Sequence, residues 1–161
     1  MIFSNPSEYA IRALSELVLM ATEPKYAGGR KPGYVMLDKL VENGTLPREF
    51  LAKIFRQLVE GGVLASAKGP GGGFALSRPA HEITLLQIVE AVDGTDHTDG
   101  CVVGLARCDE NQPCPQHDLF KPIRQRLKAY LATTTLADTA ASLRDKRVEI
   151  AKTLPVPPAQ V

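Results

Sequence analysis

Long apolar runs are missing from this 161-residue sequence. The N-terminal segment meets Glu8, Arg12 and Glu16 before the run Leu17–Ala21, which is too short to span a bilayer and lies in no secretory pattern. No membrane association is expected. Cysteine is scarce and odd in number: the three present cannot all pair within one chain. A reducing, cytoplasmic setting is expected, where clustered thiols point to metal or redox chemistry rather than a structural disulfide. Tight Cys-x2-Cys pairs, the common mark of a zinc site, are absent. No Gly-Lys-Ser/Thr ending follows the glycine-rich stretch, which removes a nucleotide-binding loop. No substrate-sized set of His, Asp and Glu accompanies the cysteines, which argues against an iron–sulfur enzyme or electron carrier.

Net charge is nearly missing too, at +1, but it is unevenly spread. Residues 1–80 carry +3, residues 81–118 carry −7 and residues 119–161 carry +5. The acidic middle holds all the cysteines, as suits a cation site or a solvated acidic loop. With 44% hydrophobic and 23% charged residues, the composition is that of an ordinary globular protein. Its length fits one domain, or one domain with an appendage.

Taken in order, Asn5-Pro6-Ser7-Glu8 reads as a helix start, with Asn5 at the N-cap and Glu8 as the acid of a capping box. Tyr9, Ala13, Leu14, Leu17, Val18 and Ala21 continue it at helical spacing until Glu23-Pro24. Residues 24–34, with Gly28, Gly29, Pro32 and Gly33 among Lys25, Arg30 and Lys31, predict a mobile basic loop. A short helix at Leu37, Leu40 and Val41 is broken by Asn43-Gly44, and Thr45 and Pro47 open the next. There Leu51, Ile54, Phe55 and Leu58 follow i, i+3, i+4, i+7, while Arg48, Lys53, Arg56 and Gln57 lie on the outer face. Gly61-Gly62 end it. Short helix, tight turn and striped helix with a basic face form the pattern of a helix-turn-helix.

Val63–Ala67 and Phe74–Ser77 read as strands around Lys68-Gly-Pro-Gly-Gly-Gly73, a β-hairpin wing. Its glycines, Gly69, Gly71 and Gly72 among them, allow close approach to DNA phosphates, with Lys68 and Arg78 supplying charge. Thr84-Leu-Leu-Gln87 is a capping box whose helix runs to Asp93-Gly94. Beyond the cysteines, Asp118 is expected to cap a helix with Pro122 in its first turn and one stripe of Leu119, Ile123, Leu127, Tyr130 and Leu131. A helix carrying such a stripe far from the first core is expected to pair with its twofold mate, so that 118–133 makes a homodimer. Thr135 caps a last helix with Leu136, Ala140 and Leu143 on one face, and the tail at Pro155–Pro158 is expected to be disordered. The predicted fold is mostly α with a small β-hairpin: a winged helix-turn-helix over 1–80, linker helix, cysteine loop and dimerisation helices over 81–152, and a tail over 153–161.

Cys101, Cys108, Cys114 and His117 are separated by six, five and two residues, so all could reach one centre. Thiolates hold iron–sulfur clusters or zinc. On spacing alone, a zinc-stabilised structural dimer and redox-active free thiols remain open beside an iron–sulfur centre. For DNA contact the candidates are Arg48, Lys53, Arg56 and Gln57 on the helix, with Lys68, Gly69, Gly71 and Gly72 at the wing tip.

Several motifs in order resemble the Rrf2-type winged-helix regulators of the IscR, NsrR and RirA kind. They are Glu8-Tyr-Ala-Ile-Arg-Ala-Leu14, Leu46-Pro-Arg-Glu-Phe-Leu51, Gly69-Pro-Gly-Gly-Gly-Phe74, Ile83-Thr-Leu85, Cys114-Pro-Gln-His117 and Thr135-Leu-Ala-Asp138. The resemblance covers nearly the whole chain. It departs in the basic loop at 24–34, longer than is usual there, and in the first cysteine gap, which has one residue more. The resemblance implies a transcriptional regulator, expected to be a repressor, that binds a double-stranded operator as a homodimer. It implies a [2Fe-2S] or [4Fe-4S] cluster on Cys101, Cys108 and Cys114 that senses iron, redox state or nitric oxide. His117 would be the fourth ligand in IscR-like members, and Glu8 from the opposite subunit in NsrR-like ones. The alternative is a cluster-free regulator answering to thiol oxidation or a small ligand.

Overall fold

The structure, a computed structural model, describes residues 4–27, 31–42, 47–95, 97–105 and 108–153. The break at Asn43-Gly44, the opening Thr45, the motif residue Leu46 and the tail around Pro155–Pro158 lie outside the described residues.

Helix α1 (Asn5–Ala21) starts one residue earlier than the sequence suggests. Ser4, not Asn5, is the N-cap, its Oγ accepting from the Ser7 amide at 3.1 Å. Ser4 is itself anchored from afar: its hydroxyl and that of Ser7, the latter at 2.8 Å, donate to Asp93. Glu8 therefore closes no capping box and instead faces Arg12 at 3.6 Å. In the basic segment Gly28, Gly29 and Arg30 lie outside the described residues, and the residues on either side are tied to each other. Pro24–Ala27 form one helical turn, α2, and the Gly33 amide donates to the Tyr26 carbonyl at 3.1 Å. Fully buried Val35 then exchanges two 2.9 Å hydrogen bonds with Phe74. Burial of one β-branched residue thus fastens the segment to the wing.

Helices α3 (Leu37–Val41) and α4 (Arg48–Glu60) form the helix-turn-helix. The stripe of α4 (Leu51, Ile54, Phe55 and Leu58) packs against Leu14 and Leu17 of α1. Phe55 meets Phe74 edge to face, with centroids 5.0 Å apart. Strands β1 (Leu64–Ala67) and β2 (Gly73–Leu76) pair antiparallel, with Leu64 opposite Leu76 and Ala67 opposite Gly73. Helix α5 (Leu85–Asp93) carries the expected Thr84/Gln87 capping box.

Helix α6 (His117–Thr133) also begins earlier than predicted: His117, not Asp118, opens it, its amide donating to the Cys114 carbonyl at 3.0 Å. Pro122 consequently lies inside the helix rather than in its first turn. Helix α7 (Leu136–Thr153) folds back onto α1, with Arg147 ion-paired to Glu16. At its start Thr135 and Asp138 cap each other, the Asp138 amide donating to Thr135 Oγ1 at 3.2 Å. One buried cluster joins Leu14, Leu17 and Phe55 to Ile83, Leu85, Ile88, Leu131 and Leu136, so the core crosses residue 80. Among the described residues, no helix is long and apolar enough to cross a membrane.

Candidate nucleic-acid interface and metal centre

Burial of one α4 stripe forces its opposite side outward. Lys53 and Arg56 stand exposed there, and among the described residues neither has an ion-pair partner. Arg48, in the first turn, is held by Asp38 of α3, and that carboxylate raises the pKa of the guanidinium above its ordinary value. Gln57 does not point out with them. Its amide donates to the Val92 carbonyl at 3.2 Å and ties α4 to the end of α5. Between α4 and the hairpin runs a groove of about 350 Å³, lined by Arg56, Val59, Ser66, Lys68 and Phe74 among others.

The wing glycines divide into two kinds. Gly69 and Gly71 adopt φ of +84° and +72°, and Gly69 has open space beside it, the free backbone a phosphate contact needs. Gly72 serves the turn itself, since a Cβ there would lie 2.3 Å from the Ala67 carbonyl oxygen. Gly73, with φ +134°, admits Val35 alongside. Lys68 is exposed at the tip. Arg78, expected to add charge to the wing, is occupied internally: it donates to the Gly62 carbonyl at 3.1 Å and to Gln87 Oε1 at 2.9 Å. Gln87 is thereby both half of a capping box and the seat of the wing's base.

The cysteine loop brings two of its four candidate ligands into contact. Cys108 Sγ lies 3.4 Å from Nδ1 of His117, whose ring is buried in the first turn of α6. Cys114 acts on Cys101 as one of several influences on its thiol. The backbone N–H of Val103 above all, then that of Leu105, Cys114 and the charge of Arg124, hold the Cys101 thiol below its ordinary pKa, against partial desolvation. All three thiols are free. Among the described residues, no three His, Cys, Asp or Glu side chains already converge as a cation cage. Glu8, the alternative ligand, stays on α1 beside Arg12. The loop rests on α6 through polar contacts: Lys121 to Glu110, Arg124 Nη1 to the Gly100 carbonyl at 3.2 Å, and Lys128 to Asp99 at 2.8 Å.

A helix-turn-helix with a solvent-facing basic helix and a glycine-tipped wing defines a winged-helix DNA-binding protein. More particularly, the chain belongs to the Rrf2 family, whose model, described as an iron-dependent transcriptional regulator, matches residues 3–142. Over 138 residues it is 28% identical to the HTH-type transcriptional regulator IscR of Serratia proteamaculans, covering 86% of this chain and 78% of that one. Among solved structures it is similar to CymR, the global cysteine regulator of B. subtilis, with TM-score 0.69 and 20% identity over 88% of this chain and 98% of that one. It is also similar to T. potens IscR, with TM-score 0.64 and 18% identity over 97% and 94%. The structural likenesses carry the fold. The family makes the protein a DNA-binding transcriptional regulator and not an enzyme.

Proposed function

We propose that this regulator is a repressor whose hold on its operator depends on an iron–sulfur cluster, [2Fe-2S] or [4Fe-4S]. Cys101, Cys108 and Cys114 supply thiolates and His117 the fourth ligand, with Glu8 of a second copy as the alternative. The observation that carries this reading is the buried His117 ring at the start of α6, 3.4 Å from the Cys108 thiol. Three free thiols and one imidazole in a single loop, one thiol already shifted toward thiolate, suit a soft, thiolate-binding group. When bound, such a group supplies chemistry sensitive to oxygen, nitric oxide and iron supply.

The chain's own residues provide a route from loop to DNA. His117 links the loop to the first turn of α6. At the other end of α6, the Leu85 amide donates to the Thr134 carbonyl at 3.0 Å and the Leu136 amide to the Ile83 carbonyl at 2.8 Å. Those bonds fasten α6 to α5, and Gln57 fastens α5 to α4. In this reading residues 1–80 read DNA, while 81–152 carry the sensor and the pairing helices. Two copies pair through α6, supported by Leu119 at 70%, Ile123 at 58% and Tyr130 at 53% exposure on a helix whose Leu131 is fully buried. Arg48, Lys53, Arg56, Lys68, Gly69 and Gly71 face the DNA, with Gly72 shaping the wing tip and Gln57 acting as a strut behind the helix. A bias between DNA-bound and free forms requires ligation to differ between them.

Anaerobic purification with iron, sulfide and visible absorbance measured together tests the reading. Iron and sulfide in matching amounts are expected, with loss in Cys108→Ala, and His117→Ala compared with Glu8→Ala identifies the fourth ligand. An operator selected from a random duplex library then compares loaded and metal-free protein. Equal affinities would remove the sensing role and leave DNA binding intact. The lowered pKa of the Cys101 thiol, to which Cys114 contributes, favours a second reading, a cluster-free thiol switch between those two free cysteines. There the two thiols give two protons and two electrons to hydrogen peroxide, forming a disulfide and two waters. Loss of two hydrogens by mass, with altered DNA affinity in protein that binds no iron, distinguishes it.

A further inference from the structure

The basic segment before the helix-turn-helix is not part of the recognition surface assigned above, yet it is built against the wing. Lys31 Nζ donates to the Lys68 carbonyl at 2.6 Å, so one lysine reaches the wing tip's backbone beside the other's cationic side chain. Val35 extends the hairpin as a third edge, and Gly73 has no side chain because Val35 passes where its Cβ would be. Between segment and wing lies a concavity of about 170 Å³, lined by Lys25, Tyr26, Lys31, Tyr34, Gly71 and Gly72. Lys25 sits over the Tyr26 ring, 4.9 Å from its centroid. Among the described residues no carboxylate lines the concavity; Glu23, which is not among those lining it, pairs with Lys25 at 2.9 Å.

We infer that this concavity is a second DNA-contact site, seating a phosphodiester of the duplex next to the one touched by the wing. The chemistry matches an anion with some apolar surface. Two ammonium groups supply charge, two tyrosines supply ring faces and hydroxyl donors, and Gly71, with no side chain, lines the opening. Its continuity with the wing favours DNA over a free phosphate, because a duplex lying on Gly69 and Gly71 runs past this opening. The inference rests on the wing's contact with DNA, and it adds a contact that reads no base.

The test measures binding of a fluorescein-labelled duplex of mixed sequence across a salt series, with wild type, Lys25→Gln, Lys31→Gln and Arg56→Ala. Each phosphate contact contributes about 0.9 to the slope of log affinity against log salt. The slope is expected to fall by about 0.9 in Lys25→Gln and again in the double variant Lys25→Gln/Lys31→Gln. Lys31→Gln also releases the Lys68 carbonyl, so Lys25→Gln, which leaves the wing's bonds intact, is the deciding variant. Unchanged slope and affinity in Lys25→Gln would overturn the inference, and the drop in Arg56→Ala would still report the recognition helix. A titration of inorganic phosphate followed at the tyrosine NMR signals separates sources. Saturable shifts of Tyr26 and Tyr34 with no change in the DNA slope would replace the duplex by a small anion and overturn the assignment.

Discussion

The recognition helix and the cysteine loop are held in place by opposite means. Along α4, Leu51, Ile54, Phe55 and Leu58 are each at most 1% exposed, and the helix is positioned by hydrocarbon packed on α1 and the wing. In the loop, Val102, Val103 and Leu105 are each about half exposed, and its ties to α6 are charged or polar. The uneven charge of the sequence has its place here, with acids of the middle segment meeting bases of α6. Apolar packing fixes one geometry, whereas exposed ion pairs contribute little and exchange readily. Under the proposed function, a reading head that must keep its shape and a sensor loop that must change are each held by the suitable force.

The sharpest way to break the packed region is Phe55→Ala. It removes a fully buried ring and its edge-to-face partner Phe74, and the expected loss is about 3–5 kcal/mol in denaturant unfolding. A loss under about 1 kcal/mol would mean that the groove beside the wing collapses to fill the space. Gly73→Ala comes next. The added Cβ would lie 2.3 Å from the Val35 carbonyl oxygen at a φ of +134°, so the third edge of the wing must open. The cost expected is more than about 1 kcal/mol, with protection lost at the Val35 and Phe74 amides in hydrogen exchange. Unaltered exchange there would show that the Val35 bridge does not hold the basic segment.

Against these, Lys128→Ala should move stability by less than about 1 kcal/mol, because its pair with Asp99 is exposed. Its effect should instead be local, as faster hydrogen exchange over residues 99–105. If global stability fell as far as in the Phe55 variant, the contrast between the two regions would fail.

How much could be read beforehand follows the same division. The α4 stripe, the wing strands, the Thr84 box and the Thr135 cap are local patterns, set by spacings of two to four residues; the stripe and both caps stand where the sequence placed them, and the strands within one residue of it. Misplaced features depend on distant partners. Ser4 replaces Asn5 as cap with Asp93 binding both Ser4 and Ser7; Gln57 and Arg78 turn inward to Val92 and Gln87. Gly72 and Gly73 look alike in sequence to Gly71, but only the fold shows which carbonyl each makes room for. The thiols are visible in sequence as a cluster, whereas the meeting of Cys108 with His117 depends on how the loop turns onto α6.

The smallest effect expected is a shift in reactivity with no change of fold. The Val103 amide is the largest of the influences lowering the Cys101 pKa, so the thiolate should persist to lower pH than in a free cysteine. As pH falls through that lowered value the sulfur gains a proton, its hold on the Val103 and Leu105 amides weakens, and the loop should loosen toward acid. Iodoacetamide labelling of metal-free protein, followed at Cys101 by peptide mass, should therefore show its midpoint on the acid side of a glutathione reference. Val103→Pro removes the N–H and should carry the midpoint back toward that reference while leaving the unfolding transition within about 1 kcal/mol, as for other exposed loop changes. A midpoint that does not move would mean that these amides do not hold the sulfur, and the loop would then rest on its ties to α6 alone.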